Sequence, residues 1–212
     1  SGETEVHLTQ AGGADRDLFL DLCRRDRVNP IAVRSTSEVR YGYTLIDGTE
    51  HTTTEVIEEA EAVEPGCETA VREAFTDLLP VVEVVIISGS KAPGFTPRLY
   101  PDLVAEAVGA GKLVVVDYRG QDLIDSLPHR PQIVKPNLAE FVQSFMPDIG
   151  DISEHAADTS LLASVRTRML ELHRKFGVIP IITRGKEPTL FVHDGGMAER
   201  PVESVVPVNT IG

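Results

Sequence analysis

Four short polar loops of the sequence contain the residue types best suited to hold a charged ligand. Each loop closes an apolar segment: SGSKAPG (88–94), DYRG (117–120), KPNLAE (135–140) and TRGKEP (183–188). Loops with glycine, serine and threonine offer backbone N–H groups to phosphates, whereas aspartate and glutamate offer oxygen to Mg²⁺, usually through water. The combination suggests a nucleotide with magnesium.

A parallel sheet would bring these loops together. Apolar strands alternate with helices along the chain, which indicates an α/β protein with a parallel sheet covered on both faces. The carboxyl ends of such strands share one edge, where ligands bind. Strands are predicted at 5–10, 29–34, 81–88, 112–117, 132–134 and 178–183, and helices near 15–26, 68–79, 97–110 (with Thr96 as N-cap), 121–126 and 160–175.

Two hairpins interrupt this alternation. Residues 39–46 and about 52–57 alternate in polarity around Asp47-Gly48, a strong hairpin signal. A second hairpin is predicted after the last parallel strand, turning at Asp194-Gly195.

The segment IVKPNLAEF (133–141) admits two interpretations. Asn137 and Glu140 have the spacing of a capping box at the start of a helix, with Asn137 at N-cap and Glu140 at N3, and a cap needs no ligand. Both residues also follow the end of a predicted parallel strand, and this position makes a ligand site as well supported as a simple helix cap. Residue spacing alone leaves both interpretations open.

Composition excludes several classes of function. The 212 residues carry a net charge of −13, and the basic residues are scattered, so we expect no nucleic-acid partner. No apolar run approaches the roughly 20 residues of a membrane span. Two cysteines without a CxxC motif, and no signal-peptide pattern, predict a cytoplasmic protein. The six histidines lack paired ligand spacing, which disfavours zinc.

Five motifs occur in the order and approximate spacing of a known family. They are ISGSKAPG, VVVDYRG, IVKPNLAEF, IITRGKEPTLFV and VNTIG. The chain resembles the PfkB (ribokinase-like) carbohydrate kinases over nearly its whole length, and most resembles the phosphofructokinase and tagatose-6-phosphate kinase branch. The resemblance implies a ribokinase-like α/β fold with a mostly parallel central sheet, helices on both faces and a small β lid within about 39–58. Residues 1–212 would form a single, incomplete domain.

The resemblance also implies ATP and Mg²⁺ as cofactors and a sugar or sugar phosphate as substrate. Lys135 and Asn137 would face the nucleotide phosphates, and Glu140 would order Mg²⁺ through water. The remaining implied roles are Asp117 on the metal side, Thr183, Arg184 and Gly185 beside the nucleotide, and Ser90 and Arg40 on the sugar side. The full-length protein would be a carbohydrate kinase, that is, a phosphotransferase with an alcohol group as acceptor.

Departures from the family pattern limit this expectation. The family's early substrate-binding segment has no counterpart, and the chain stops at Gly212, the first glycine of the family's Gly-Ala-Gly-Asp anion hole. No catalytic residue is therefore expected within the chain, whose base would follow Gly212, and we expect this fragment to be inactive. An apolar face left bare by the missing part would be covered by the rest of the protein or by a second copy in a homodimer.

The choice of sugar is left open by two replacements. Lys91-Ala92 stands where Leu-Pro is usual, and the strand after Arg40 lacks the family's asparagine two residues on. A non-catalytic nucleotide- or sugar-binding regulatory module on the same fold is the alternative function.

Overall fold

The computed structural model describes residues 5–49, 52–153 and 155–203. These residues divide into two units, each held together by its own internal contacts. The first unit is drawn from residues 5–77 and 91–96, and the second from residues 78–90 and 97–203.

The first unit opens with the predicted β-α-β arrangement. Strand β1 (His7–Gly12) pairs in parallel with β2 (Pro30–Ser35), and helix α1 (Arg16–Arg25) connects them. Gly12 lies directly against the backbone of Ser35, since a Cβ at position 12 would lie 1.8 Å from the Ser35 carbonyl oxygen. Only glycine fits this position without moving the backbone.

The predicted hairpin is present in the first unit, but it begins later than predicted. Strand β3 (Gly42–Asp47) pairs antiparallel with β4 (Thr52–Ile57). Just before Gly42, the Tyr41 carbonyl still accepts from Glu58 N–H at 3.0 Å, but the Tyr41 N–H donates to the Glu58 carboxylate at 2.8 Å instead of to a backbone carbonyl. Both strands of the hairpin are largely exposed.

Helix α2 (Cys67–Leu78) anchors the segment Lys91–Thr96 in the first unit. Glu68 accepts from the Thr96 backbone N–H at 2.7 Å and from its hydroxyl at 2.8 Å. The prediction that Thr96 caps the following helix is wrong: that helix begins at Leu99 with Arg98 at its N-cap. The Thr96 hydroxyl is already committed to Glu68, so it does not serve as a cap.

The second unit contains six strands: β5 (Val84–Ser88), β6 (Leu113–Asp117), β7 (Ile133–Val134), β8 (Ile179–Arg184), β9 (Glu187–His193) and β10 (Gly196–Arg200). They form one sheet in the order β10-β9-β8-β7-β6-β5. Strands β5 to β8 pair in parallel, as predicted, whereas β9 pairs antiparallel with β8 and β10 pairs antiparallel with β9, each through a tight turn. Asp194 (φ 49°) and Gly195 (φ 73°) form the predicted turn of the final hairpin.

Four helices pack in this unit: α3 (Leu99–Gly109), α4 (Gln121–Ser126), α5 (Leu138–Phe145) and α6 (Thr159–Phe176). Helix α3 contacts β6, α5 contacts β8, and α6 contacts β8, β9 and β10. Val114, Val116, Val134 and Ile182 are fully buried in the strands and form the centre of the core. None of the helices in the described ranges is long and apolar enough to cross a bilayer.

Candidate functional site

Register places the predicted loops at one edge of the second unit's sheet. Ser88 at the end of β5 lies opposite Asp117 at the end of β6, and Val116 lies opposite Val134 of β7. Two backbone hydrogen bonds extend this alignment beyond the strands: Gly89 N–H donates to the Asp117 carbonyl at 3.1 Å, and Lys135 N–H donates to the Val116 carbonyl at 2.8 Å. The strand-end loops therefore meet, as the sequence predicts.

Asp117 and Lys135 form an ion pair at this edge. Lys135 Nζ lies 3.0 Å from Asp117 Oδ2, and their side chains are 41% and 32% exposed. A pair this exposed is screened by water and contributes at most about 1 kcal/mol to stability. An anionic ligand can therefore draw Lys135 away at little cost to the fold.

Asn137 and Glu140 form the predicted capping box at the start of α5. Asn137 Oδ1 accepts from Glu140 N–H at 2.9 Å, and Glu140 Oε2 accepts from Asn137 N–H at 2.9 Å. Leu138 and Phe141, both fully buried, hold the first turn of the helix against the core. Within the described ranges, Glu140 Oε1 accepts no hydrogen bond from another residue. The cap therefore leaves one carboxylate oxygen for a water or a metal.

The turn between β8 and β9 lies next to this cap. Thr183 forms an isolated parallel bridge with Asn137, and its N–H donates to the Pro136 carbonyl at 3.4 Å. Gly185 follows with a φ of 59°, which favours glycine. The Arg184 side chain points inward: the residue is only 4% exposed, so the turn presents its backbone, not a guanidinium, to solvent.

The two sugar-side residues fall in different units. Ser90 follows Gly89 at the same edge as Asp117 and is exposed. Arg40 belongs to the first unit, is exposed just before β3, and makes no hydrogen bond or ion pair with the residues that the structure describes. Gly212 lies outside the described residues.

Sequence reasoning missed Ser144, which ties two of the loops together. Its hydroxyl donates to the Glu140 carbonyl at 2.7 Å and accepts from Gly120 N–H at 2.8 Å. Ser144 thus links the loop after β6 to helix α5. The sequence signal that could have found Ser144 is a serine on the apolar face of an amphipathic helix. In the structure this serine is only 7% exposed.

Two tyrosines support the same edge and were also missed. The rings of Tyr100 and Tyr118 lie 4.8 Å apart, and the Tyr100 hydroxyl donates to the Gly89 carbonyl at 3.4 Å. Burial, with a smaller contribution from the negative charge of Asp122, raises the pKa of Tyr100 to about 12. Tyr100 therefore keeps its proton at neutral pH and remains a donor to the loop that leads to Ser90.

Comparison with protein families identifies the chain's relatives. A family model described as the pfkB family of carbohydrate kinases matches residues 2–212. The chain belongs to this family. The family predicted from the sequence motifs is therefore confirmed.

Solved structures similar to this pfkB-family chain include phosphofructokinases. A point mutant of phosphofructokinase-2 from Escherichia coli has a TM-score of 0.79 and 17% identity, covering 97% of this chain and 64% of its own. A Thermotoga maritima protein described as a possible 1-phosphofructokinase has a TM-score of 0.76 and 20% identity, with coverages of 92% and 59%. The E. coli enzyme in complex with fructose-6-phosphate has a TM-score of 0.76 and 17% identity, covering 97% and 66%.

These likenesses confirm the predicted ribokinase-like α/β fold. The pfkB-family chain spans less than two thirds of the length of each of the three structures.

The residues at the sheet edge fit a nucleotide with magnesium better than a metal bound by protein alone. In the described ranges, no three His, Cys, Asp or Glu side chains come close enough to hold a metal by themselves. Asp117 pairs with the cation of Lys135, and Glu140 belongs to the capping box that begins two residues after Lys135. Mg²⁺ is commonly held by one or two carboxylates, with waters and substrate phosphates completing its shell. The donor set of this family member fits that pattern.

Proposed function

We propose that this chain carries the nucleotide and magnesium side of an ATP-dependent kinase that phosphorylates a sugar or sugar phosphate, of the phosphofructokinase or tagatose-6-phosphate kinase type. The observation that supports it most is the exposed pair of Lys135 and Asp117 beside the capped start of α5. This edge offers a cation for phosphates and carboxylates for a metal. The pfkB family membership of the chain agrees with that chemistry.

On the nucleotide side, each residue has a distinct task. Lys135 leaves Asp117 and binds the phosphates, and the amide of Asn137 stays in the cap while orienting the loop around them. Asp117 and Glu140 hold the waters of Mg²⁺. The backbone of Thr183 and Gly185 lines the nucleotide. When bound, Mg²⁺ screens the negative charge of the transferring phosphoryl group.

On the sugar side, the exposed guanidinium of Arg40 binds the phosphate of the substrate through charge-assisted hydrogen bonds. The Ser90 hydroxyl contacts the sugar. Tyr100 positions this hydroxyl, because it donates a hydrogen bond to the carbonyl of the neighbouring Gly89. Lys91 has a structural task, because its Nζ donates to the Thr96 carbonyl at 3.0 Å. Lys91 is therefore not assigned to the sugar phosphate.

The test is a panel of sugars and sugar phosphates assayed with ATP and Mg²⁺ on the full-length protein, with Lys135→Met as the variant. Turnover that is selective for one phosphorylated sugar and falls at least about tenfold in the variant supports the proposal. Binding of ATP or of a sugar phosphate without any turnover would instead support the regulatory module. Equal activity of wild type and variant would contradict the task given to Lys135.

A further inference from the structure

Arg184 is the buried cation of the described part of the second unit. It ends β8 next to the exposed Gly185 and Lys186, yet the whole residue is only 4% exposed. Burying a guanidinium is costly unless it is well supplied with hydrogen bonds. Its contacts therefore show what the residue is for.

The Arg184 guanidinium connects two segments that are far apart in sequence. It donates through one terminal nitrogen to the Pro188 carbonyl at 3.3 Å in β9, and through the other to the Ala156 carbonyl at 3.3 Å. Ala156 lies in the short segment before α6. Arg184 Nε is buried without a partner among the described residues, so both donated bonds come from the terminal nitrogens.

His155 strengthens the same connection from the other side. Its Nδ1 donates to the Arg184 carbonyl at 3.4 Å. Its ring occupies the space above Gly185, where a Cβ would lie 2.0 Å from His155 Cε1. Gly185 is therefore needed for two reasons, its positive φ and the close approach of this ring.

The segment before α6 is also fixed at its far end. Asp158 caps α6, and its Oδ1 accepts from Leu161 N–H at 2.8 Å and from the Ser160 hydroxyl at 2.6 Å. Residues 155–158 therefore run from a helix start to the β8–β9 turn and are held at both ends. Thr183, one residue before Arg184, is bridged to Asn137 of the capping box.

We propose that Arg184 is a positioning residue and not a phosphate ligand: it clamps residues 155–156 onto the β8–β9 turn and thereby sets the position of the Thr183 and Gly185 backbone. This rests on the proposed function for the claim that the turn lines the nucleotide. The clamp itself rests only on the contacts above. A nucleotide then meets the backbone of the turn, whose placement depends on a side chain that the nucleotide never touches.

The experiment compares Arg184→Met and Arg184→Lys in the full-length protein with Lys186→Met, which removes an exposed cation from the same turn. Without any ligand, hydrogen exchange of peptides covering 155–158 and 183–187 is expected to rise at least about tenfold in Arg184→Met and not in Lys186→Met. The exchange rate in Arg184→Lys should lie between those of the other two variants. A single ammonium cannot donate to both carbonyls in the way that the two terminal nitrogens of a guanidinium do. Unchanged exchange in Arg184→Met would overturn the clamp.

Ligand binding separates positioning from direct contact. A displaced turn should weaken the binding of adenosine and of ATP by the same factor, about tenfold. It should also raise the KM for ATP without changing the KM for the sugar. If Arg184→Met weakens ATP and leaves adenosine unchanged, Arg184 is a phosphate ligand and the proposal is wrong.

Two further outcomes keep the tests separate. If the wild type binds neither ATP nor adenosine, the proposed function is wrong, and so is the claim that the turn lines a nucleotide. The hydrogen-exchange experiment would still test whether Arg184 clamps residues 155–156 onto the turn. If Arg184→Met does not fold, His155→Ala, which keeps the guanidinium, is expected to show a smaller change in the same direction. No change in exchange or adenosine affinity in His155→Ala would then count against the clamp.

Discussion

Lys135 Nζ lies 3.0 Å from Asp117 Oδ2, so the group proposed to bind phosphates is paired with a group proposed to bind the metal. In the ligand-free chain each neutralises the other. Phosphates that draw Lys135 away would leave the Asp117 carboxylate free, which makes nucleotide binding favour metal binding at this edge.

This pairing predicts the behaviour of Lys135→Met without nucleotide. Removing the cation leaves Asp117 uncompensated, so the affinity for Mn²⁺ alone should rise several-fold, as expected from the loss of about 1 kcal/mol of an exposed pair. Isothermal titration of the nucleotide-free protein measures it. Lys186→Met, which removes a lysine from the neighbouring turn, should leave Mn²⁺ affinity unchanged. An unchanged or weaker Mn²⁺ affinity in Lys135→Met would show that Lys135 does not lower the affinity of Asp117 for the metal.

Glu140→Gln tests the metal role without removing the cap. Glutamine still accepts a hydrogen bond from Asn137 N–H, so the free energy of unfolding should stay within about 0.5 kcal/mol of the wild-type value. The loss of charge should raise the magnesium requirement and lower turnover, while the KM for the sugar phosphate stays nearly constant. Activity is measured across a magnesium titration. An unaltered magnesium dependence would leave Glu140 as a helix cap and nothing more.

Arg40→Ala tests the sugar side. Loss of a charge-assisted contact to a phosphate should weaken sugar-phosphate binding by about 2 kcal/mol, or roughly thirtyfold in Kd. Arg34→Ala, which removes another exposed arginine of the first unit, serves as the control. Equal affinities in the two variants and the wild type would show that Arg40 is only a surface residue of the hairpin.

Glu68 predicts a specific pH dependence of stability. Burial by itself would raise the pKa of Glu68, but hydrogen bonds from Thr96 N–H and from the Arg72 guanidinium outweigh it, so the pKa lies below its ordinary value. A depressed carboxyl pKa stabilises the fold above the ordinary glutamate pKa of about 4.3, and this contribution is lost as the pH falls through the lower folded value.

The measurement is urea unfolding of the wild type and Glu68→Gln between pH 3 and pH 7. The wild type should be more stable by about 1 kcal/mol near pH 7, and the difference should shrink as the pH falls below about 4. Glu73→Gln on the same helix, where the glutamate is exposed, is the matched control for the loss of one carboxylate. A difference that stays constant with pH would contradict the assigned cause.

Local signals predicted most of the fold. The helix Gln121–Ser126 has the predicted bounds, and the turn at Asp194-Gly195 follows from residues that tolerate positive φ. The capping box at Asn137 was equally accessible, because both of its partners lie within four residues. Thr96 was misassigned because its hydroxyl bonds to Glu68, far away in sequence, and no local pattern reports such a partner.

The site was predicted less completely for the same physical reason. The edge at which Asp117 and Lys135 meet follows from parallel strands, but their ion pair depends on register and on side-chain direction. The inward course of Arg184 depends on the Ala156 carbonyl, in a segment that has no regular structure to predict. Sequence resemblance assigned Arg184 a place in the turn after β8 and could not give the direction of its side chain.

The two kinds of strand pairing in the six-stranded sheet have a consequence for the order of folding. Strands β8, β9 and β10 are joined by tight turns, and α6, which directly precedes them, packs on all three. Pairing β5 with β6 requires closing a loop that contains helix α3, and pairing β7 with β8 requires closing one that contains both α5 and α6. Such long-range closure is slow. Residues 159–200 should therefore acquire amide protection before β5 during refolding, which pulse-labelled hydrogen exchange would detect. During synthesis the parallel strands β5, β6 and β7 leave the ribosome before this fast-folding part, so they wait for it as a template.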